Sequence, residues 1–278
     1  MMTIDAALRA AALRLAPTSE TARLDAELLM AHALGVTRES LLLGDRRGAS
    51  PDVFASLLDR RLSGEPIAYL TGTRDFWSIT LAVGPGALIP RPDSETLIEA
   101  ALDHFGAAGP RNILDLGTGP GSLLLAALAE WPNASGLGID IAEEALAYAR
   151  ANAEALGLAE RASFRPGNWA EGVAAEYDLV LANPPYIEAA AELPRDVAAH
   201  EPAGALFAGA DGLDAYRVLA PQLGSLIAPG GMAAVEIGAT QRAQVSGLFA
   251  ATGLALASRR DIAGRDRAIL LYRADTGQ

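Results

Sequence analysis

From residue 111 onward the chain alternates between short apolar runs and segments of helical period, and few architectures accommodate that alternation. Residues 111–116 read as a strand, 122–130 as a helix, 135–139 as a second strand and 142–156 as a helix ended by Gly157. Residues 162–165 follow as a short third strand, and 177–182, Tyr-Asp-Leu-Val-Leu-Ala, as a buried fourth. Residues 187–210 read as irregular. Residues 211–227 are expected to be largely helix, 232–237 strand, 241–252 helix, and 254–260 with 268–272 two closing strands around a turn at Gly264. Alternation of this kind builds a parallel sheet covered by helices on both faces. Ligands of such sheets bind outside the carboxyl ends of the strands, near the point where strand order reverses. The expected fold is therefore α/β, doubly wound and Rossmann-like.

Two loops that follow predicted strands carry the chemistry. The first is Gly117-Thr118-Gly119-Pro120-Gly121, after the first strand and at the start of a helix. Glycines there let the backbone approach a ligand closely. Asp140 ends the next strand, and a carboxylate accepts the two hydroxyl hydrogen bonds that a ribose offers. Together these features point to a nucleoside-type cofactor. A dinucleotide fingerprint would place its third glycine one residue later, where this chain has Ser122. Asp115-Leu116-Gly117 ahead of the loop is instead the pattern of S-adenosylmethionine enzymes. The helix N-terminus at Ser122 then faces a smaller nucleoside with an amino-acid tail.

The second loop is Asn183-Pro184-Pro185-Tyr186. Proline fixes φ and has no N–H, and it forces the preceding residue to be extended. The loop is therefore stiff and presents acceptors, namely the Asn183 side-chain oxygen and nearby carbonyls. Tyr186 is expected to wall the pocket. Such a site suits a planar group bearing an NH₂, either an amide or the exocyclic amine of a base.

The rest of the chain bounds these readings. Residues 1–72 read as short helices. Residues 4–15 have helical spacing, a second helix starts at Pro17-Thr18-Ser19-Glu20 with Leu24, Leu28, Leu29 and Ala31 on its apolar side, and a third has Ser50 as N-cap. This region is expected to be a helical bundle for docking a substrate. Residues 73–92 read as a β-hairpin linker turning at Gly84-Pro85-Gly86, after which Asp93 or Ser94 caps a helix. Residues 93–278 form the main domain.

The chain contains neither cysteine nor lysine, which excludes disulfides, thiol nucleophiles, iron–sulfur clusters and Schiff-base chemistry. For the cofactor above, that leaves methyl transfer rather than radical chemistry. His32, His104 and His200 have no ligand spacing, so no metal site is expected. The net charge of −12 opposes a long phosphate track. No run has transmembrane length and no signal-peptide layout opens the chain, so a cytoplasmic protein is expected.

With these motifs in place, the chain resembles the seven-stranded S-adenosylmethionine methyltransferases. The flanking blocks narrow the resemblance. Tyr69-Leu70-Thr71-Gly72, Ile89-Pro90-Arg91-Pro92-Asp93-Ser94-Glu95, Glu201-Pro202, Asp211-Gly212-Leu213, Glu236-Ile237-Gly238 and Gly264-Arg265-Asp266-Arg267 are similar to blocks of the bacterial release-factor glutamine methyltransferases, the PrmC/HemK family. The resemblance covers nearly the full length. It implies that Gly117, Thr118, Gly119, Pro120 and Gly121 form the cofactor loop, that Asp140 holds the ribose and that Trp169 lies near the adenine. It also implies that Asn183 meets both cofactor and substrate, and that Pro184, Pro185 and Tyr186 complete a substrate-amide pocket. The implied cofactor is S-adenosylmethionine. The implied partner is a class I peptide chain release factor, methylated on the glutamine of its Gly-Gly-Gln loop by a monomeric enzyme that needs no direct nucleic-acid contact. Pro120 departs from the family's small hydroxyl residue and removes a donor. Two other readings stand beside this one: a DNA adenine amino-methyltransferase with a similar tetrapeptide, and a non-catalytic translation-factor binding protein.

Overall fold

The computed structural model describes residues 2–274. They form two compact units, one taking residues up to Thr73 together with Leu193–His200, the other Arg74–Glu192 and the chain from Glu201 onward.

The first unit is helical: α1 (Ile4–Leu15), α2 (Ala22–Leu34), α3 (Arg38–Leu43), α4 (Asp52–Leu62) and α5 (Ile67–Thr71). Thr3 caps α1 by accepting the Ala6 N–H through its hydroxyl. Leu8, Leu15, Leu29, Met30 and Phe54 belong to its core. Three details differ from the sequence expectation. Pro51, not Ser50, holds the cap position of α4. The second helix begins only at Ala22, and Leu24 on it is exposed. In its place α2 buries Asp25 and Glu27, because both carboxylates are paired. Asp25 accepts from Arg61 at 2.9 Å and from the Ser19 and Thr21 hydroxyls at 2.9 Å each. Glu27 accepts from Arg23 at 2.6 Å and Arg38 at 2.9 Å. Burial pushes the Glu27 carboxyl up, but the Arg23 and Arg38 bonds outweigh it and hold its pKa below the ordinary 4.5. A depressed folded pKa adds stability above the ordinary value and loses it as pH falls through the folded one. Arg38→Ala leaves Arg23 in place and should cost about 1 kcal/mol in urea unfolding at neutral pH. The difference from wild type should shrink in acid, once pH has fallen through the folded pKa and Glu27 is protonated in both. An equal difference at both pH values would assign the loss to packing alone.

A two-stranded sheet follows, β1 (Thr73–Phe76) and β2 (Ile79–Ala82), all of it but Thr73 in the second unit. Its reversal falls at Trp77-Ser78, not at Gly84-Pro85-Gly86 as the sequence suggested. Trp77 sits at φ 55°, and its N–H donates to Glu95 Oε1 at 2.9 Å and its Nε1 to Glu130 Oε2 at 3.1 Å. These tertiary bonds hold a tight turn that local sequence does not announce. One 3₁₀ turn at Pro92–Ser94 then leads into α6 (Glu95–Phe105).

The alternation follows: β3 (Asn112–Leu116), α7 (Ser122–Glu130), β4 (Ser135–Asp140), α8 (Glu143–Ala155), β5 (Ala162–Pro166) and β6 (Tyr177–Ala182). The stretch expected to be irregular contains α9 (Arg195–His200), which belongs to the first unit, and a 3₁₀ turn at Ala203–Ala205. Then come α10 (Asp214–Leu226), β7 (Ile227–Glu236), α11 (Arg242–Ala250), β8 (Ala255–Arg260) and β9 (Asp266–Tyr272). The large sheet has seven strands in the order β5-β4-β3-β6-β7-β9-β8. β9 runs antiparallel to both its neighbours, and the other pairs are parallel. The central strands are buried on both faces and read as continuous apolar runs for that reason. Leu114, Leu116, Val180, Ala182, Ala233 and Val235 share one core with Tyr216, Leu219 and Phe249 of the covering helices. Strand order reverses around β3, which has β4 on one side and β6 on the other. Among the described residues, no helix is long and apolar enough to cross a membrane.

Candidate active site

Strand register brings the predicted site residues to one edge. Leu116 pairs with Ile139 of β4 and with Ala182 of β6, and Ala182 pairs with Val235 of β7. The next residue on each strand therefore falls in one row at the carboxyl end: Asp140, Gly117, Asn183 and Glu236. These positions are far apart in sequence and one strand apart in space. A cavity of about 330 Å³ opens on this edge, with Gly117, Thr118, Gly119, Pro120, Asp140, Trp169, Asn183 and Pro185 in its lining.

The glycine loop is braced from three sides. Gly117 and Thr118 donate their N–H groups to the Ile139 carbonyl at 2.8 and 3.0 Å. Gly119 N–H donates to Asp140 Oδ2 at 2.8 Å. Asn152 of α8, almost fully buried, donates to the Pro120 carbonyl at 2.9 Å and also exchanges two bonds with Ala82 of β2, at 2.7 and 3.1 Å. Pro120 therefore takes part in the loop as an acceptor, the role its missing N–H leaves it. Gly117 and Gly119 sit at φ 72° and 56°, which side chains disfavour. A Cβ on Gly117 would come within 3.4 Å of the Trp169 ring, so the glycine lets that ring lie against the backbone. Gly121 is the cap residue of α7, behind the cavity.

Asp140 takes the Gly119 N–H on one oxygen and the Ala142 N–H, at 2.9 Å, on the other. A carboxylate has about four acceptor positions, so each oxygen retains one for a ligand. Ile141 beside it is 78% exposed and also lines the cavity, an uncovered apolar surface next to a carboxylate. Behind the loop lies Asp115, fully buried, accepting from the Thr118 hydroxyl at 2.6 Å and the Leu124 N–H at 3.3 Å. Burial pushes its carboxyl up to about 7 against those bonds. These features fit a nucleoside with an amino-acid tail: a backbone cradle, a carboxylate with spare acceptors, and apolar walls at Trp169 and Ile141.

Asn183 donates through Nδ2 to the Ser94 hydroxyl at 2.9 Å. Among the described residues its Oδ1 has no partner. Pro184 is buried, and neither it nor Tyr186 lines the cavity. The Tyr186 hydroxyl, expected to wall the pocket, turns to Glu236 Oε1 at 3.3 Å, while its carbonyl accepts from Gln241 at 3.0 Å. Burial, and then the Glu236 charge, push the Tyr186 phenol above its ordinary range. Glu236 is itself fully buried. Burial lifts its carboxyl to about 7, opposed by the neighbouring Ser94 hydroxyl and by the Arg267 charge. Arg267 is also buried, paired with Asp93 at 2.9 Å and Asp261 at 3.3 Å. Buried Glu201 accepts from the Ile89 N–H and from Arg91, tying together two segments that line the cavity through Pro90, Arg91 and Pro202.

A parallel sheet with an antiparallel strand inserted before its last edge, a glycine cradle after its central strand and a carboxylate closing the next define a methyltransferase domain. Comparison with known proteins agrees. Residues 94–200 match the methyltransferase small domain and residues 6–72 the PrmC N-terminal domain. The chain is 46% identical to the release factor glutamine methyltransferase of Rhodospirillum rubrum, over 93% of this chain and 81% of that protein. It is 42% identical to the one of Caulobacter vibrioides, over 89% and 88%. A solved ribosomal protein L11 methylase from Lactobacillus delbrueckii subsp. bulgaricus shares the fold, with TM-score 0.51, 22% identity, and 69% and 84% of the two chains covered. The chain belongs to the release factor glutamine methyltransferase family.

The sequence assigned no side-chain role in the site to Asn152, Ser94 or Glu236, and placed Asp115 only in the motif ahead of the glycine loop. Two of them left a signal: Asp115 and Glu236 are carboxylates set in or at the end of otherwise apolar strands. Asn152 and Ser94 left none, since a helical Asn and a serine before a helix have ordinary explanations.

Proposed function

We propose that this enzyme methylates the side-chain amide nitrogen of the Gly-Gly-Gln glutamine in class I peptide chain release factors, using S-adenosylmethionine. The observation that carries the reading is Asn183: its donor edge is engaged by Ser94, and its acceptor oxygen is unpaired beside the glycine cradle. Gly117, Thr118, Gly119, Asp140 and Trp169 would hold the cofactor, which supplies an electrophilic methyl group.

An amide nitrogen is a weak nucleophile because its lone pair is delocalised into the carbonyl. Asn183 Oδ1 and a carbonyl of the stiff proline pair accept its two N–H bonds. They fix the nitrogen's direction and stabilise positive charge developing on it. Orientation and electrostatics carry the reaction: as the nitrogen takes the methyl group the cofactor's carbon–sulfur bond would break, and the proton shed by the methylated amide would pass to solvent, so no side chain is assigned as general base. Incubation with labelled S-adenosylmethionine and purified release factors, followed by mass mapping, tests the reading: label on the Gly-Gly-Gln glutamine is expected, and label elsewhere or none overturns it.

Residues 1–72 are assigned to docking the protein substrate. Their removal should leave cofactor affinity within about twofold and raise the KM for release factor about tenfold, equivalent to about 1.4 kcal/mol of docking. Equal activity of both forms at low release-factor concentration would remove that role.

A further inference from the structure

An asparagine amide has two edges of nearly equal size, one a donor and one an acceptor. The acceptor role of Asn183 therefore depends on what holds the other edge. In the structure that holder is Ser94, which accepts from Nδ2 at 2.9 Å. A hydroxyl has one proton, and it can accept from Asn183 while donating elsewhere. The buried acceptor that its proton can serve is Glu236, one strand away from Asn183 in the register row, whose carboxyl the neighbouring Ser94 hydroxyl holds down against burial. Glu236 Oε1 takes the Tyr186 hydroxyl at 3.3 Å, while Oε2 is buried with no aligned hydrogen bond from any described residue, an acceptor short of a donor. The Glu236 carboxylate has only acceptors to offer, so it requires the Ser94 proton. Ser94 must then present a lone pair to Asn183, and Asn183 must present its NH₂ to Ser94.

We propose that Ser94 and Glu236 are positioning residues that fix which edge of the Asn183 amide faces the cavity. The inference rests on the reading of Asn183 as the acceptor for the target amide. It also explains why Ser94 is spent away from its expected role: it makes no side-chain cap bond to α6.

The test is a mutant cycle at about pH 8, on the alkaline side of the value near 7 to which burial lifts Glu236, so that its carboxylate form is favoured. Ser94→Ala should lower kcat on release factor roughly tenfold with both KM values unchanged, since only the amide's orientation is lost. Ser94→Thr keeps the hydroxyl and should restore most of the rate. Glu236→Gln introduces a donor that can claim the Ser94 lone pair, and should lower kcat by a similar factor. An unchanged rate there overturns the part given to Glu236. The decisive arm is Asn183→Asp, whose two edges both accept. In that background Ser94→Ala should change kcat by less than about twofold, because no edge remains to be chosen. A tenfold loss in both backgrounds, or no loss in either, overturns the proposal.

The Asn183 side-chain NH₂ resonances give a reading that needs no substrate. Wild type should show one proton protected from exchange, and Ser94→Ala should lose that protection. Equal exchange in the two proteins overturns the proposal. A wild-type enzyme inert on release factor but showing protection would defeat the functional reading while sustaining the orientation.

Discussion

Asn183→Ala is expected to lower the single-turnover rate on release factor by about 10²–10³, the loss seen when one preorganised hydrogen-bonding group is removed from a transition state. The variant should still fold. Asn183 lies beyond the last residue of β6 and its side chain is only partly buried, whereas the strand's own anchors, Leu179 to Ala182, are fully buried. Pro184 and Pro185 still stiffen the loop. Cofactor affinity should fall only modestly, because the cradle at Gly117 to Gly119 and the Asp140 carboxylate are untouched. The loss falls on kcat because the acceptor matters most as the nitrogen becomes positive. Asn183→Asp should retain more activity than the alanine variant, since a carboxylate still accepts. Equilibrium cofactor binding and single-turnover methylation, measured on all three proteins, check this. A near wild-type rate for Asn183→Ala at saturating cofactor would reduce the tetrapeptide to a strand-ending turn.

Asp140→Ala should weaken cofactor binding by about 10- to 100-fold, from the loss of charge-assisted bonds worth roughly 1.5–3 kcal/mol. Two effects contribute to it. One is the loss of acceptors facing the cavity. The other is internal: the same carboxylate holds the Gly119 and Ala142 N–H groups, so the glycine loop loses a brace. Asp140→Asn separates them. It retains one oxygen, enough for one backbone bond, and should lie between alanine and wild type in affinity. Calorimetry with S-adenosylmethionine and with methylthioadenosine, which lacks the amino-acid tail, gives the check. Unchanged affinity for both ligands in Asp140→Ala would place the ribose elsewhere.

Much of this arrangement was legible in the sequence because it rests on local rules. The strand and helix periods from residue 111 give the sheet, and the run of alternate glycines marks the loop after β3. A carboxylate closing an apolar strand marks Asp140. The hairpin was misplaced because Trp77 adopts its turn through bonds to Glu95 and Glu130, which are distant in sequence. The burial of Asp25 and Glu27 in α2 was hidden for the same reason, since the arginines that make it tolerable come partly from α3 and α4. Ser94 and Asn152 were invisible as site residues because their partners lie 89 and 70 positions away. Local pattern identifies what a residue can do; only the register of the sheet shows which residue it does it with.

That register also works as a ruler. Asp140, Gly117, Asn183 and Glu236 occupy successive strands, and neighbouring strands lie ~4.8 Å apart. From the residue that closes β4 to the one that follows β6 is two intervals, on the order of 10 Å. The interval is set by backbone hydrogen bonding, so substitutions in the loops can alter what each position grips but not the span between them. Selection for ligand length is thereby built into the scaffold, and selection for chemistry is left to the side chains. A one-residue slip of β6 would disturb both, because it would move Asn183 off the row and turn its buried residues to the opposite face.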